Sequence, residues 1–518
     1  MLSTWAISLL LAADPSQEAP VRIRAAVHLV EFDVIVKDKQ GDPVLDLKQE
    51  DFVIREEGRT RPIDLFRPAV PFQTAIVPPV LPPGTFSNRI SAGSAGSGTV
   101  TAILLDGLNT NFRDQAYSRQ ELFRFLKSIR PQDRVALYVL GRSLYVLHDF
   151  SSDTESLLRR ISQWEGENTG GPGSQFVWEQ LQSLGPDLPG DQNTAMQRLA
   201  EFVTRNRILQ TLSSLEAVAR HLAGVTGRKN LIWISSGFPL ETGFRRTFGT
   251  LDDVRRTACT LNDCNVAIYP VDARGLFVDP QYSVTYQEFS VVPEESELGE
   301  LYNNIEGMRV LAEMTGGKAF YNRNDIAHAI ADAAEDGRSS YLLGYYRPEP
   351  PDNRFKEIQV KVNRPDVTLR YRKGFVALRA TANAEVSRQS QLELALWSPL
   401  DDRSIGLEAF LEPVRRNKYR VTVRVDPSGI NLQKTGDGWT GRLEIAFASK
   451  DVQGRSYGQR ILDTVELNLK PQTMIDVSHN GISYRKSLVF APEASLLRIV
   501  VRDPSRGLLG SLTIPLRP

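Results

Sequence analysis

Cysteine is scarce, since 518 residues hold only Cys259 and Cys264. Their spacing in "RRTACTLNDCNVAIYPV", which reads first as helix and then as strand, matches no zinc-site pattern. A disulfide across five helical residues needs Cα atoms closer than a helix holds them, so both are expected as core thiols. Histidine is scarce too: His28, His148, His221, His328 and His479 are scattered with no HExxH, which argues against zinc catalysis. Net charge is absent, with 62 basic residues against 62 acidic ones. No general pull towards nucleic acid or anionic lipid follows, and no nucleic-acid partner is expected. One apolar run, from about Trp5 to Ala13, precedes a polar, Pro-containing stretch. Residues 1–20 therefore read as an export signal, although no Lys or Arg precedes the run. Nothing else approaches the roughly 18 to 20 apolar residues of a membrane helix. The mature protein is expected to be soluble, and secreted or periplasmic.

What the chain does have is periodicity. At 518 residues it exceeds one core, and roughly 150 residues per domain suggests about three domains. From Val27 to Lys37, "VHLVEFDVIVK" alternates, with Val30, Phe32, Val34 and Val36 on one face, the mark of a half-buried strand. "DFVIREEGRTRPIDLF" adds two short strands about a Glu-Gly turn. Residues 21–67 thus hold three strands, too few to enclose a core. Residues 68–98 open Pro-rich ("PAVPFQTAIVPPVLPPG") and close with "SAGSAGSG", and read as an extended, unpaired linker.

Residues 99–337 change character. Strand runs ("TVTAILLD", "DRVALYVLG", "SLYVLHDF", "NLIWISSG", "NVAIYPVDARG", "KAFY") are interspersed with amphipathic helices. Such alternation requires crossovers onto a mainly parallel sheet covered on both faces, a doubly wound, Rossmann-like α/β unit. Residues 165–193 are long, Gly/Pro-rich and aperiodic, and read as an exposed insertion. After Gly337 the helical period vanishes. "SSYLLGYYRP", "FKEIQVKVNRP" and "VTLRYRKGFVAL", within residues 338–380, are expected to complete one β-sandwich with residues 21–67, the α/β unit being inserted in it. Residues 390–518 are expected to be all β, an antiparallel sandwich like fibronectin type III or immunoglobulin modules, from the alternation in "YRVTVRVD", "GRLEIAFASKD", "DTVELNLK" and "SLLRIVVRD". The expected class is α/β plus all-β.

Open α/β sheets bind ligands at the carboxyl ends of their strands, near the switch in strand order. "ILLDGLNT" puts Asp106 at such an end, with Gly107 permitting a sharp turn. Taken in order with "LVEFDVIVKDKQGDPVLDL", "EDFVIREEG", "GRKNLIWISSG", "AIYPVDARGL" and "YLLGYYRP", it makes the chain resemble the secreted von Willebrand factor type A-related proteins of Acidobacteria. Residues 99–337 resemble the von Willebrand A (VWA) domain itself. The resemblance implies Mg2+ held by Asp-x-Ser-x-Ser after the first strand, a Thr at a later helix start and an Asp after the fourth strand. An open position on the ion would then accept an acidic side chain from a protein partner. Mapped here, the metal residues are Asp106, Thr110, Thr211 and Ser236. Leu108 replaces the first hydroxyl and Ser236 stands where Asp is usual, so the implied site is degenerate. Asp272, in "YPVDARG", would either restore a charge or serve as a turn residue. The alternative for Asp106 is a carboxylate accepting backbone N–H bonds in its own turn, with Thr110 capping the first helix.

Enzymatic readings lack their residues. A haloacid dehalogenase-like hydrolase needs a second Asp where Leu108 stands, no GxSxG elbow occurs, and "GENTGGPG" is not in a strand-to-helix turn. No catalytic residue and no cofactor beyond the implied Mg2+ is expected. The expected function is non-catalytic, extracytoplasmic protein binding in adhesion or assembly, with a metal-independent envelope scaffold as the alternative.

Overall fold

The computed structural model describes residues 28–69, 84–89, 100–130, 133–166, 190–225, 228–238, 249–276, 295–349, 352, 354–376, 384–415, 417–451 and 456–516. The expected export signal and most of the expected insertion at 165–193 lie outside these residues. The chain opens with β1 (His28–Lys37), β2 (Phe52–Glu56), β3 (Arg59–Arg61), β4 (Leu65–Arg67) and β5 (Thr85–Ser87). Its middle comprises β6 (Val100–Asp106), α1 (Phe112–Leu126), β7 (Arg134–Leu140), β8 (Leu144–Ser151), α2 (Thr154–Gln163), α3 (Gly190–Leu222), β9 (Lys229–Ser235), α4 (Gly249–Asp263), β10 (Val266–Asp272), α5 (Glu295–Thr315) and α6 (Ile326–Asp336). Four strands follow: β11 (Ser340–Arg347), β12 (Phe355–Val362), β13 (Thr368–Arg370) and β14 (Gly374–Val376). The last stretch holds α7 (Ala384–Trp397), β15 (Leu407–Arg415), β16 (Lys418–Val425), β17 (Gln433–Thr435), β18 (Gly438–Lys450), β19 (Ser456–Leu469), α8 (Pro471–Asn480), β20 (Ile482–Val489), β21 (Leu496–Arg502) and β22 (Leu509–Pro515).

The middle stretch forms a mixed sheet of order β10-β9-β6-β7-β8. β10, β9, β6 and β7 run parallel, and β8 is antiparallel at the edge. Only Gly141 to Ser143 separate β7 from β8, too few for a crossover, so the chain must fold straight back. Every residue of β6, β9 and β10 is buried, as strands covered on both faces require. Leu104, Tyr138, Trp233 and Ile268 pack with residues of α3, α4 and α5 such as Leu215, Ala258 and Leu311. Ile103, Leu137, Ile234 and Tyr269 pack on the other face with Leu122, Leu157 and Ile330 of α1, α2 and α6. Where "KAFY" predicts a strand, Phe320 makes only an isolated parallel bridge to Val271. Strand order reverses between β6 and β9, so the switch point lies where Asp106 and Ser235 end their strands.

β1 pairs with β11 from His28↔Arg347 to Ile35↔Ser340, and β2 pairs with β12. The two sheets, β13-β1-β11-β4 and β14-β12-β2-β3, share an apolar cluster in which Val30, Phe32, Val34 and Val36 meet Ile54, Leu343, Ile358 and Val360. "VTLRYRKGFVAL", expected as one strand, splits: β13 joins the first sheet and β14 the second.

Two expectations fail beyond this point. The segment read as an unpaired linker contributes β5, which pairs with β15. Buried Asn88 fixes it there, donating to the carbonyls of Asp402 (2.8 Å) and Ile405 (2.9 Å) and accepting from the Leu407 amide (2.6 Å). The last stretch is not all β. Ala446, Ala448, Val500 and Leu509 make the outer face of its second sheet apolar, and Leu392, Ala395 and Leu396 of α7 cover it. α8 starts on Pro471 and stops at Gly481, whose φ of 73° suits glycine.

The α/β unit meets the last stretch at Leu400 to Arg403. Leu400 joins the α3 side of the α/β core. Arg498, fully buried, donates to the Ala395 and Leu400 carbonyls and pairs with Asp401. The Arg403 amide donates to the Arg220 carbonyl (3.1 Å). His221, near the end of α3, is buried edge-on to Tyr138 with its Nδ1 2.8 Å from the Asp401 carbonyl. Burial first, then nearby Arg403 and Arg498, push its pKa down to about 3, against a weaker opposing pull from the Asp401 carbonyl and Asp149. The unfolded ring takes up a proton near pH 6.5 and the folded one does so only near pH 3. The ring's contribution to stability is therefore full above the unfolded value and is lost as pH falls through that window. Urea unfolding from pH 7 to 4 is expected to show a steeper loss of stability in the wild type than in His221→Phe, the difference corresponding to about one proton.

Candidate functional site

Period two places Ala102, Leu104 and Asp106 of β6 on the face covered by α3. Leu104 stands opposite Trp233 in β9, so Trp233 and Ser235 line the same face beside Asp106. At the carboxyl edge Asp106 is 2% exposed. Its Oδ1 accepts the Asn109 amide (2.9 Å). Its Oδ2 accepts Asn109 Nδ2 (2.8 Å), Trp233 Nε1 (2.9 Å) and Ser235 Oγ (2.9 Å). Burial pushes its carboxyl above the ordinary range, and the bonds from Asn109, Trp233 and Ser235 oppose that push. The backbone bond from Asn109 is the one anticipated from the sequence; the three side-chain donors are additional.

Thr211 is fully buried one turn beyond Arg207 on α3. Its hydroxyl donates to the Arg207 carbonyl (2.8 Å) and so accepts from Asn109 Nδ2, also at 2.8 Å. One amide nitrogen thus bridges the two oxygens that the family pattern assigns to a cation. Arg207 itself donates to the Leu108 carbonyl. Burial lowers its pKa, and the Asp106 charge partly restores it.

Thr110 is buried but does not cap α1, whose N-cap is Asn111 without a side-chain bond. Its Oγ1 accepts the Ser236 amide (3.1 Å). The Ser236 hydroxyl turns away from Asp106 to Asp114 Oδ2 (3.3 Å). Burial raises the Asp114 pKa, with the Ser236 bond and the Arg274 charge opposing and Asp272 adding to it. Asp272 restores no charge to Asp106: both its oxygens hold Arg274 (2.9 and 2.8 Å), and it accepts the Arg274 amide (3.0 Å), a turn residue's arrangement. Gly107 has no left-handed backbone. Its missing Cβ instead leaves room for the Gln115 amide, which donates to the Gly107 (3.3 Å) and Thr110 (2.8 Å) carbonyls.

Asp106, Thr110, Thr211 and Ser236 therefore converge on one edge, yet they do not fit Mg2+. The ion wants an octahedron of oxygens with compensating negative charge. The one carboxylate beside Thr211 already accepts four donors and sits beside the Arg207 cation, while Leu108 is packed into the apolar core. Among the described residues, no group of three His, Cys, Asp or Glu side chains is arranged for a metal. The sequence reading missed Asn109, Arg207, Asp114, Trp233 and Ser235. Asn109 lies inside the quoted motif, and period two from Ser235 would have found Trp233.

No family model and no curated protein matches the chain. Among solved structures it is similar to an aerotolerance-related membrane protein from Bacteroides fragilis, at 13% identity over 46% of this chain and 98% of that one, with a TM-score of 0.24. It is similar to a conserved hypothetical protein, BatB, from Bacteroides thetaiotaomicron, at 14% identity over 46% and 98%, with a TM-score of 0.21. It is also similar to the SpRpn10 VWA domain, at 13% identity over 34% and 74%, with a TM-score of 0.18. Likenesses this loose carry no argument; strand order and side-chain geometry bear on function here.

Removing the carboxylate strands several buried donors, each costing about 1–3 kcal/mol when unsatisfied. Asp106→Ala is expected to lose roughly 3–5 kcal/mol in urea unfolding on that basis. A loss under about 1 kcal/mol would show the network to be dispensable.

Proposed function

We propose that the protein is a non-catalytic, extracytoplasmic binding protein whose VWA-like α/β unit presents the carboxyl edge of its sheet to a protein partner in adhesion or assembly. The observation that carries this reading is the make-up of that edge. Around the buried polar frame, Phe112 at the start of α1 and Leu276 beyond β10 are exposed at 55% and 51%, and Phe202 on α3 at 62%. Large apolar side chains left in water around a rigid frame suit a protein surface. Within the frame Asp106 and Thr211 share Asn109, and Thr110 holds the Ser236 amide, which supports a structural reading of these side chains. Helix α3 begins at Gly190, about 25 Å of helix before Arg207 at 1.5 Å per residue. Among the described residues no helix is long and apolar enough to cross a membrane.

Capture from envelope extract tests the reading. The same partner is expected with and without EDTA, and is expected to be lost from a Phe112→Glu/Leu276→Glu variant whose circular dichroism matches the wild type. Unchanged capture by that variant would remove the edge as the binding surface and favour the scaffold alternative.

A further inference from the structure

We infer that the Asn109 side-chain amide, backed by the Arg207 guanidinium, is a built-in replacement for a divalent cation, holding β6 to α3 permanently and making this edge indifferent to metal. Asn109 Nδ2 lies 2.8 Å from both Asp106 Oδ2 and Thr211 Oγ1. A cation bridging strand and helix would join these same two oxygens. The amide supplies two N–H donors and no formal charge, and each donor has one acceptor. The missing charge comes from Arg207, which binds the Leu108 carbonyl and feels Asp106 electrostatically. The guanidinium offsets the Asp106 charge, so these two oxygens attract a divalent ion less than an unopposed carboxylate would.

The neighbouring bonds close the remaining routes. Trp233 Nε1 and Ser235 Oγ donate to Asp106 Oδ2 from β9, so that oxygen already serves three donors. The Thr110 hydroxyl accepts from the Ser236 amide. Leu108, at 8% exposure, fills the position of a hydroxyl ligand with an apolar side chain. An ion would have to break several buried hydrogen bonds to gain one carboxylate and three hydroxyls, a weak set of ligands against water.

Asn109→Asp is the deciding substitution because it keeps the shape and exchanges the bridging donor for a second carboxylate. Thermal unfolding and Mn2+ titration followed by electron paramagnetic resonance are run on the full chain for both proteins. The wild type is expected to bind no Mn2+ at millimolar concentration and to keep its Tm in EDTA or Mg2+. Asn109→Asp is expected to melt lower in EDTA and to recover on adding Mg2+ or Mn2+. Should the aspartate variant fail to fold, Asn109→Ala is measured instead, with a lowered, metal-insensitive Tm expected. Wild-type Mn2+ binding at micromolar concentration overturns the inference. So does an Asn109→Asp protein as stable as the wild type in EDTA, or an Asn109→Ala protein with unchanged Tm. None of these results bears on whether Phe112 and Leu276 capture a partner, so this inference and the protein-binding reading fail separately.

Discussion

Burying Asp106 sets the terms for the carboxyl edge of the α/β unit. A carboxylate out of water is costly unless donors converge on it, and its position at the switch point decides which segments supply them. β9 gives Trp233 and Ser235, the loop after β6 gives Asn109, and α3 joins through Thr211 and Arg207. A single carboxylate therefore ties together the ends of two parallel strands, the loop after β6 and, through Asn109, the longest described helix. A fully satisfied buried network of this kind favours one geometry over its neighbours.

α3 is held by a second polar node further along. His221 and the Arg220 carbonyl meet Asp401 and Arg403 from the last stretch of the chain, while Arg207 and Thr211 meet the sheet edge. The same rod thus touches the candidate binding surface at one node and the neighbouring β structure at the other, roughly 15–20 Å apart at 1.5 Å per residue. Between the nodes its contacts with the sheet are apolar, through Leu212, Leu215, Val218 and Ala219. Apolar packing places the helix, and the polar nodes fix how far it can slide.

Much of this was legible from periodicity. Fully apolar runs such as "TAILLD" and "LIWIS" signalled buried parallel strands, and the same reading put Asp106 at a ligand edge. Other features were illegible for physical reasons. α7 covers a strand face carrying Ala446 and Ala448, whose small side chains disguise a two-sided strand as an ordinary alternating one. β5 is three residues long and is held by the amide of Asn88, a tertiary bond with no local signature. At the site, the pattern Asp-x-Leu-Asn-Thr located the right residues but not the wiring. Whether a carboxylate greets an ion or a set of N–H groups depends on Asn109 turning back on its own loop and on Trp233 arriving from another strand.

The pairing of β1 with β11 has a consequence for how the chain is made. His28 must find Arg347, and the whole α/β unit is synthesised between them. Contacts of such sequence separation form late and slowly, so the first four strands emerge with their apolar face and ladder edges unmatched while the unit behind them folds. During that interval they are the segment most exposed to pairing with another chain. The folded α/β unit ends the wait by bringing its two ends together, acting as the clasp for a β structure it does not belong to.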